Sequence, residues 1–314
     1  MIDVLERELL FVTGKGGVGK TTVAAAIADL AARQGKRVLV CEMDAKGALA
    51  AAFEMSELRF QPTEVQPGLF AMAMNTEDSL REYLRLVARI PLVGRIGPLA
   101  RTFDFVADAA PGVKEILAIG KICFEVRERH YDLVVVDAEA SGHIVAQIDA
   151  PRAIRELVQV GPVREQTEWM LRILGDARRT GLVVVTTPEE MPITETIELV
   201  EKVRTTTDVD VAAVFANRVL PQWFSSHDEA VFGRMCGPEA QRVLVEAVGP
   251  KVTTVFEAAT LAQARREMAT GYLDRLRDAL PTTVPVLIVP ELFTKASGRR
   301  VVSLLADALQ DELV

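Results

Sequence analysis

The chain has 314 residues, 49% of them apolar, and a net charge of −8. That is enough apolar material for a sizeable core, and the mild acidic balance gives no electrostatic ground for nucleic-acid binding. Three scattered cysteines without a C-x-x-C pair argue against a disulfide framework or a zinc site and fit a reducing cytoplasm. The opening "MIDVLERELLFV" has no cleavage-site pattern, and the longest apolar runs, such as "LVVV", are strand-sized. Neither a secretory segment nor a transmembrane helix is therefore expected.

The first predicted strand, "ELLFVTG", leads into "GKGGVGKT", and the helical run "TTVAAAIADLAARQG" follows. The octet matches G-x-x-x-x-G-K-[ST] from Gly14 through Gly19 and Lys20 to Thr21, in the strand–loop–helix setting that a phosphate-binding loop requires. Glycines let the backbone curl with its N–H groups inward, and the helix N-terminus adds positive potential. Gly14, Gly16, Gly17, Val18, Gly19, Lys20, Thr21 and Thr22 are thus the expected phosphate contacts. Lys20 would reach the β- and γ-phosphates of ATP or the phosphates of ADP, and the Thr21 hydroxyl would ligate Mg²⁺. Lys15, near the loop tip, is not needed for holding phosphate in its own loop. It is either an exposed lysine of no consequence or a cation that reaches the nucleotide of a facing protomer, as an arginine finger does.

Further strands are expected at "KRVLVCEMD", "LFAMAMN", "YDLVVVDA", "GLVVVTT", "VAAVFANRV" and "VPVLIVP". Several are apolar on both faces and alternate with helical periods such as Ile193, Ile197, Val200 and Val203. This predicts an α/β fold with a doubly wound, mostly parallel sheet, a P-loop NTPase. Two helix-rich stretches, 76–128 and 222–280, interrupt the rhythm. They are expected to form a helical subdomain within a single domain spanning 1–314, although the same stripes (Leu80, Leu84 and Val87; Val113, Ile116, Leu117, Gly120 and Cys123) would also suit the domain's own core.

"KGGVGKT" resembles the deviant Walker A motif of the dimeric nucleotide-sandwich ATPases: septum-positioning and partition ATPases, nitrogenase iron proteins, arsenite-pump ATPases and tail-anchored-protein targeting ATPases. The resemblance implies that Lys15 acts across a face-to-face dimer. "RVLVCEMDAKGALAAAFEM" is similar to the first switch of the arsenite-pump and tail-anchored branch, with Asp44 in the place of the catalytic aspartate beside the γ-phosphate and Mg²⁺. The branch usually continues Asp-Pro-Ala-His, where this chain has Asp-Ala-Lys-Gly. "YDLVVVDAEASGHIVAQIDAP" places Asp137 as the Walker B carboxylate for Mg²⁺ and Gly142 near the γ-phosphate, with Ala140 where the branch has proline and Ser141 where it has threonine. His143 reads as a switch residue. "VVVTTPEEMPITETIELVEKV" resembles the branch's "PE…ET" segment. Asn217 in "VFANRVLP", and Pro290, Glu291 and Leu292 in "VLIVPELF", take the positions of the adenine pocket.

The resemblance spans nearly the whole chain and is nearest to the single-module bacterial members. It implies a dimeric ATP-hydrolysing switch, a homodimer or a heterodimer with a related ATPase, that binds or delivers a hydrophobic membrane-protein client. A client groove would draw on Leu84, Val87, Leu92, Val93, Ile96, Phe103 and Phe105, which core packing would equally explain. A weakly hydrolysing regulatory subunit and a partition or positioning ATPase are the alternatives. For an iron-cluster reductase only Cys123 is arguable as a ligand, and for a metalloid site the cysteines are too scattered. The terminal "VVSLLADALQDELV" has an apolar stripe but acidic charge, unsuited to an anionic membrane, so at most peripheral membrane association is expected.

Overall fold

Burial alternates along the strands. Leu9, Phe11, Leu39, Cys41, Val134 and Val136 turn to one core, whereas Leu10, Val12, Val38, Val40, Leu133 and Val135 turn to the other. A strand apolar on both faces needs a helical layer on each side, and the computed structural model, which describes residues 4–44, 46–87, 113–158 and 160–313, has both. The strands are β1 (Leu9–Gly14), β2 (Val38–Glu42), β3 (Thr63–Gln66), β4 (Leu69–Ala73), β5 (Leu133–Asp137), β6 (Thr180–Thr186), β7 (Val211–Val219) and β8 (Val286–Pro290). They form one sheet in the order β3-β4-β2-β5-β1-β6-β7-β8, parallel except for the β3–β4 hairpin. The expected doubly wound sheet is therefore present. β3 is an addition: a short edge strand with a single buried residue, Val65, which carries almost no apolar signal.

One layer holds α1 (Lys20–Arg33), α2 (Ala48–Ala52) and α11 (Arg299–Leu313). The stripe of α11 (Val302, Leu305, Ala306, Leu309) is buried in the core that α1 shares, so that apolar face is turned inward. The other layer holds α4 (Val113–Arg127), α5 (Ser141–Leu157), α6 (Pro162–Leu174) and α7 (Glu190–Thr206). Ala118, Ile119, Ile122, Cys123 and Val126 place α4 firmly in this core. From the first insertion, α3 (Thr76–Val87) precedes residues 88–112, so Leu92, Val93, Ile96, Phe103 and Phe105 lie outside the described residues, as do the side chains of Leu84 and Val87. An ion network pins α3 to α4: the almost buried Lys121 ammonium reaches Glu82 at 2.9 Å and Glu125 at 2.6 Å. Paired on two sides, it keeps its charge despite burial.

The second insertion contributes α8 (Ser226–Met235), α9 (Pro238–Val248) and α10 (Lys251–Ala279). Ser225 starts α8 through a capping box with Asp228. No residue of α9 is buried, and in α10 only Ala269, Leu273 and Leu276 are. Among the described residues the insertion's buried contacts with the sheet therefore come from the last turns of α10. No helix among the described residues is long and apolar enough to cross a membrane.

Candidate functional site

In a parallel sheet the C-terminal strand ends share one edge, and ligands bind there where the strand order reverses. Gly14, Glu42, Asp137 and Thr186 end β1, β2, β5 and β6 along that edge, with β1 between β5 and β6. The loop after β1 curls through two glycines that nothing else could replace. Gly14 has φ +147°, and a Cβ there would lie 2.1 Å from the Val185 carbonyl oxygen. Gly19 has φ +95° as the N-cap of α1, and its Cβ would lie 2.5 Å from Asn217 Nδ2. Gly19→Ala is accordingly expected to push Asn217 off the loop and weaken ATP binding at least about tenfold, as read by titration calorimetry, because a left-handed alanine and a displaced amide each cost about 1–3 kcal/mol. Unchanged affinity would show that the amide does not hold the loop.

Asn217 comes from a distant strand. β7 breaks register against β8 between Ala216 and Val219, and Arg218 adopts a left-handed φ of +59°. Such a bulge re-aims a side chain. Here the Asn217 amide donates to the Val18 carbonyl oxygen at 2.8 Å, and its own oxygen accepts from Arg218 N–H at 3.0 Å. The sequence aimed this residue at adenine; in the structure its amide fastens the loop after β1. Pro290 pairs with Val219, and the Glu291 N–H donates to the Val219 carbonyl, so Pro290, Glu291 and Leu292 follow directly beside it.

Within the loop, Lys20 Nζ turns inward to the Lys15 carbonyl oxygen at 3.3 Å. Burial lowers its pKa, and the nearby Asp137 opposes that shift. The Thr21 hydroxyl donates to Asp137 Oδ2 at 2.6 Å. Burial pushes the Asp137 carboxyl up to about 6, against the Thr21 hydrogen bond and the Lys20 charge. Thr21 and Asp137 thus meet as a pair of hard oxygen donors, the chemistry that Mg²⁺ takes. Asp44 stands beyond them, half exposed and ion-paired with Lys46. Both Asp44 and Lys46 act electrostatically on Lys20. Gly142 lies in the first turn of α5, whose N-terminus has no side-chain cap. His143 is exposed, 3.8 Å from Glu139.

Lys15 leaves the loop in another direction. Its ammonium is ion-paired with Glu195 of α7, and Glu195 Oε2 also accepts from the Ser141 hydroxyl at 3.4 Å. Sequence reasoning missed two neighbours. Glu42 is buried at the end of β2, in register with Asp137. Its Oε1 accepts from the N–H groups of Ala48 (2.9 Å) and Leu49 (3.4 Å), while Oε2 has no hydrogen-bond partner among the described residues. A glutamate inside the apolar run "VLVCE" was the available signal. Lys46 was visible only as a departure from the expected switch. Cys41 and Cys123 are buried in the core, where burial raises both thiol pKa values, the second to about 12.

A family model described as anion-transporting ATPase matches residues 7–161 and 146–243. The chain is 30% identical to ATPase BagA of Mycobacterium tuberculosis over 299 residues, covering 87% of each chain. It is 25% identical to a protein of Halobacterium salinarum assigned as an arsenical pump-driving ATPase, covering 88% of this chain and 44% of that one. To an ATPase ASNA1 homolog of Entamoeba dispar it is 25% identical, covering 68% of this chain and 76% of that one.

Proposed function

The chain belongs to the anion-transporting ATPase family and binds and hydrolyses ATP, and from that premise we propose that two copies close face to face over ATP and Mg²⁺ and use the cycle to hold and release an apolar client. The observation that carries the dimer is the divergence of two lysines from one loop: Lys20 points into its own phosphate cradle, and Lys15 points out of it toward α7. A cation outside the cradle serves a phosphate that arrives with another subunit. In this reading the loop from Gly14 to Thr22 and Gly142 hold the phosphates, and the adenine lies by Asn217 and Pro290–Leu292. Thr21 and Asp137 hold Mg²⁺, with Asp44 beside them. The metal would neutralise charge on the β- and γ-phosphates; Asp44, released from Lys46, orients the attacking water.

The client reading rests on the second insertion, proposed together with the first as a helical subdomain. Trp223, Val255, Leu261 and Met268 are all more than half exposed there. Phe232 stacks between Phe224 and Phe256 at centroid separations of 5.2 and 5.3 Å, lining an open apolar depression with Met235 and Val255. Apolar patches of this kind mark interaction surfaces, and an aromatic-lined groove suits an apolar helix. The test is binding of a synthetic transmembrane-helix peptide to the purified protein, with ADP and with a non-hydrolysable ATP analogue. Binding should differ between the two states and fall at least about tenfold in Val255→Asp/Leu261→Asp. Equal binding by wild type and this variant sinks the client reading and leaves the ATPase intact.

A further inference from the structure

The "PE…ET" segment has no part in the chemistry described so far, yet its glutamate holds the most distinctive side chain of the site. Glu195 sits in the second turn of α7, a helix fixed by buried Ile193, Thr196, Leu199 and Val200. Its carboxylate therefore has a defined place. One oxygen pairs with Lys15, at the tip of the phosphate loop, and the other accepts from Ser141, the first residue of α5. A single carboxylate thus ties the phosphate loop to the second switch within one protomer. Lys15 and Glu195 are each about one-third exposed (31% and 32%), so the pair is accessible to a competitor.

We propose that Glu195 is a positioning residue for the ATPase reaction: it holds the Lys15 ammonium against its own protomer, so that the dimer closes only by exchanging this carboxylate for the phosphates of the partner's nucleotide. The proposal rests on the reading that Lys15 acts in trans. The exchange is physically favoured only when the facing site is loaded. A triphosphate carries several charges and several acceptor oxygens, whereas Glu195 offers one charge. An empty partner offers no such replacement, so the lysine stays in cis. Released from Lys15, Glu195 retains Ser141, which leaves the loop and the second switch uncoupled in the closed state.

The magnitude follows from exposure. An ion pair this open changes an equilibrium by about two- to fivefold, and two pairs break in each closed dimer, giving about four- to twenty-fivefold. The experiment measures the protein concentration for half-maximal dimerisation by sedimentation with Mg²⁺ and a non-hydrolysable ATP analogue, and for half-maximal turnover with ATP. In Glu195→Gln, which keeps the shape and removes the charge, both concentrations should fall by that factor. The advantage should shrink at high salt, where the wild-type pair is already screened. In a Lys15→Ala background the same substitution should have no effect on dimerisation; Lys15→Arg, which keeps the charge, should restore it. An unshifted half-point in Glu195→Gln overturns the proposal, and so does an equal shift without Lys15. Failure of the underlying reading looks different: an equal mixture of Lys15→Ala and Asp44→Asn would then recover no turnover. Recovery of turnover in that mixture with no shift in Glu195→Gln rejects the Glu195 role alone.

Discussion

Lys15→Ala is expected to lower ATP turnover at least about 10³-fold while ATP binding stays within about tenfold, the effect of removing a cation that completes the facing site and is not needed to hold nucleotide in its own loop. Binding survives because Lys20, the glycines and the N-terminus of α1 remain, and Lys20 is the lysine that points into the cradle. The decisive version mixes two inactive proteins. Lys15→Ala retains Asp44, and Asp44→Asn retains Lys15. If Lys15 acts across the interface, each mixed dimer contains one complete site. Equal mixing makes about half of the dimers mixed, so turnover should recover to about a quarter of wild type. A lysine acting in its own protomer gives no recovery at any ratio. Steady-state kinetics on the mixture reads this directly, and absence of recovery would reject the facing-dimer reading.

Asp137→Asn is expected to make the nucleotide-free protein more stable and the enzyme at least about 10²-fold slower. The stability term comes from burial, which lifts the Asp137 carboxyl from its ordinary 3.8 to about 6 in the folded protein. The folded state therefore binds this proton more tightly than the unfolded state does. That stabilisation is fully present below the unfolded value near 3.8, is lost as pH rises through about 6, and is flat above it. Asparagine carries no charge to bury and can still accept from Thr21. Above pH 6.5, in EDTA, the variant should gain about 1–3 kcal/mol over wild type in urea unfolding, and the gap should close as pH falls toward 4. Turnover moves the other way because amide oxygen is a poor substitute for carboxylate beside a hard divalent cation. Equal stabilities at pH 7.5 would show that the carboxylate is not held against its own solvation.

The strands legible in the chain were those with apolar side chains on both faces: β1, β2 and β4 to β8 all read correctly from short apolar runs. β3 did not, because Thr63 and Glu64 are exposed at an edge and Gln66 is a polar residue bonded to Asp29, which leaves Val65 as its only apolar contribution. The stripe on α4 was visible as a stripe, but periodicity says nothing about what covers it; Ile119 and Cys123 proved to face the sheet. The loop between β1 and α1 was legible as a strand–loop–helix because its glycine pattern is local. What escaped was built from long-range contacts. Lys15 meets Glu195 180 positions away, Asn217 meets Val18 199 positions away, and Glu42 meets Asp137 only through strand register. No local pattern encodes such meetings.

The way α10 is held has a mechanical consequence. The first hold on the sheet is Arg266, whose guanidinium donates to the Leu220 carbonyl, fifteen positions beyond Lys251, so at about 1.5 Å per residue roughly 22 Å of rod projects from its mooring. A tilt of about 10° at the moored end sweeps the outer tip by about 4 Å, enough to open or shut an aromatic-lined slot. That mooring grips α7 through Arg275, whose guanidinium donates to the Thr194 hydroxyl at 3.3 Å, one position before Glu195. The clasp on the loop lysine and the pivot of the long arm are thus neighbours on a single rigid spindle.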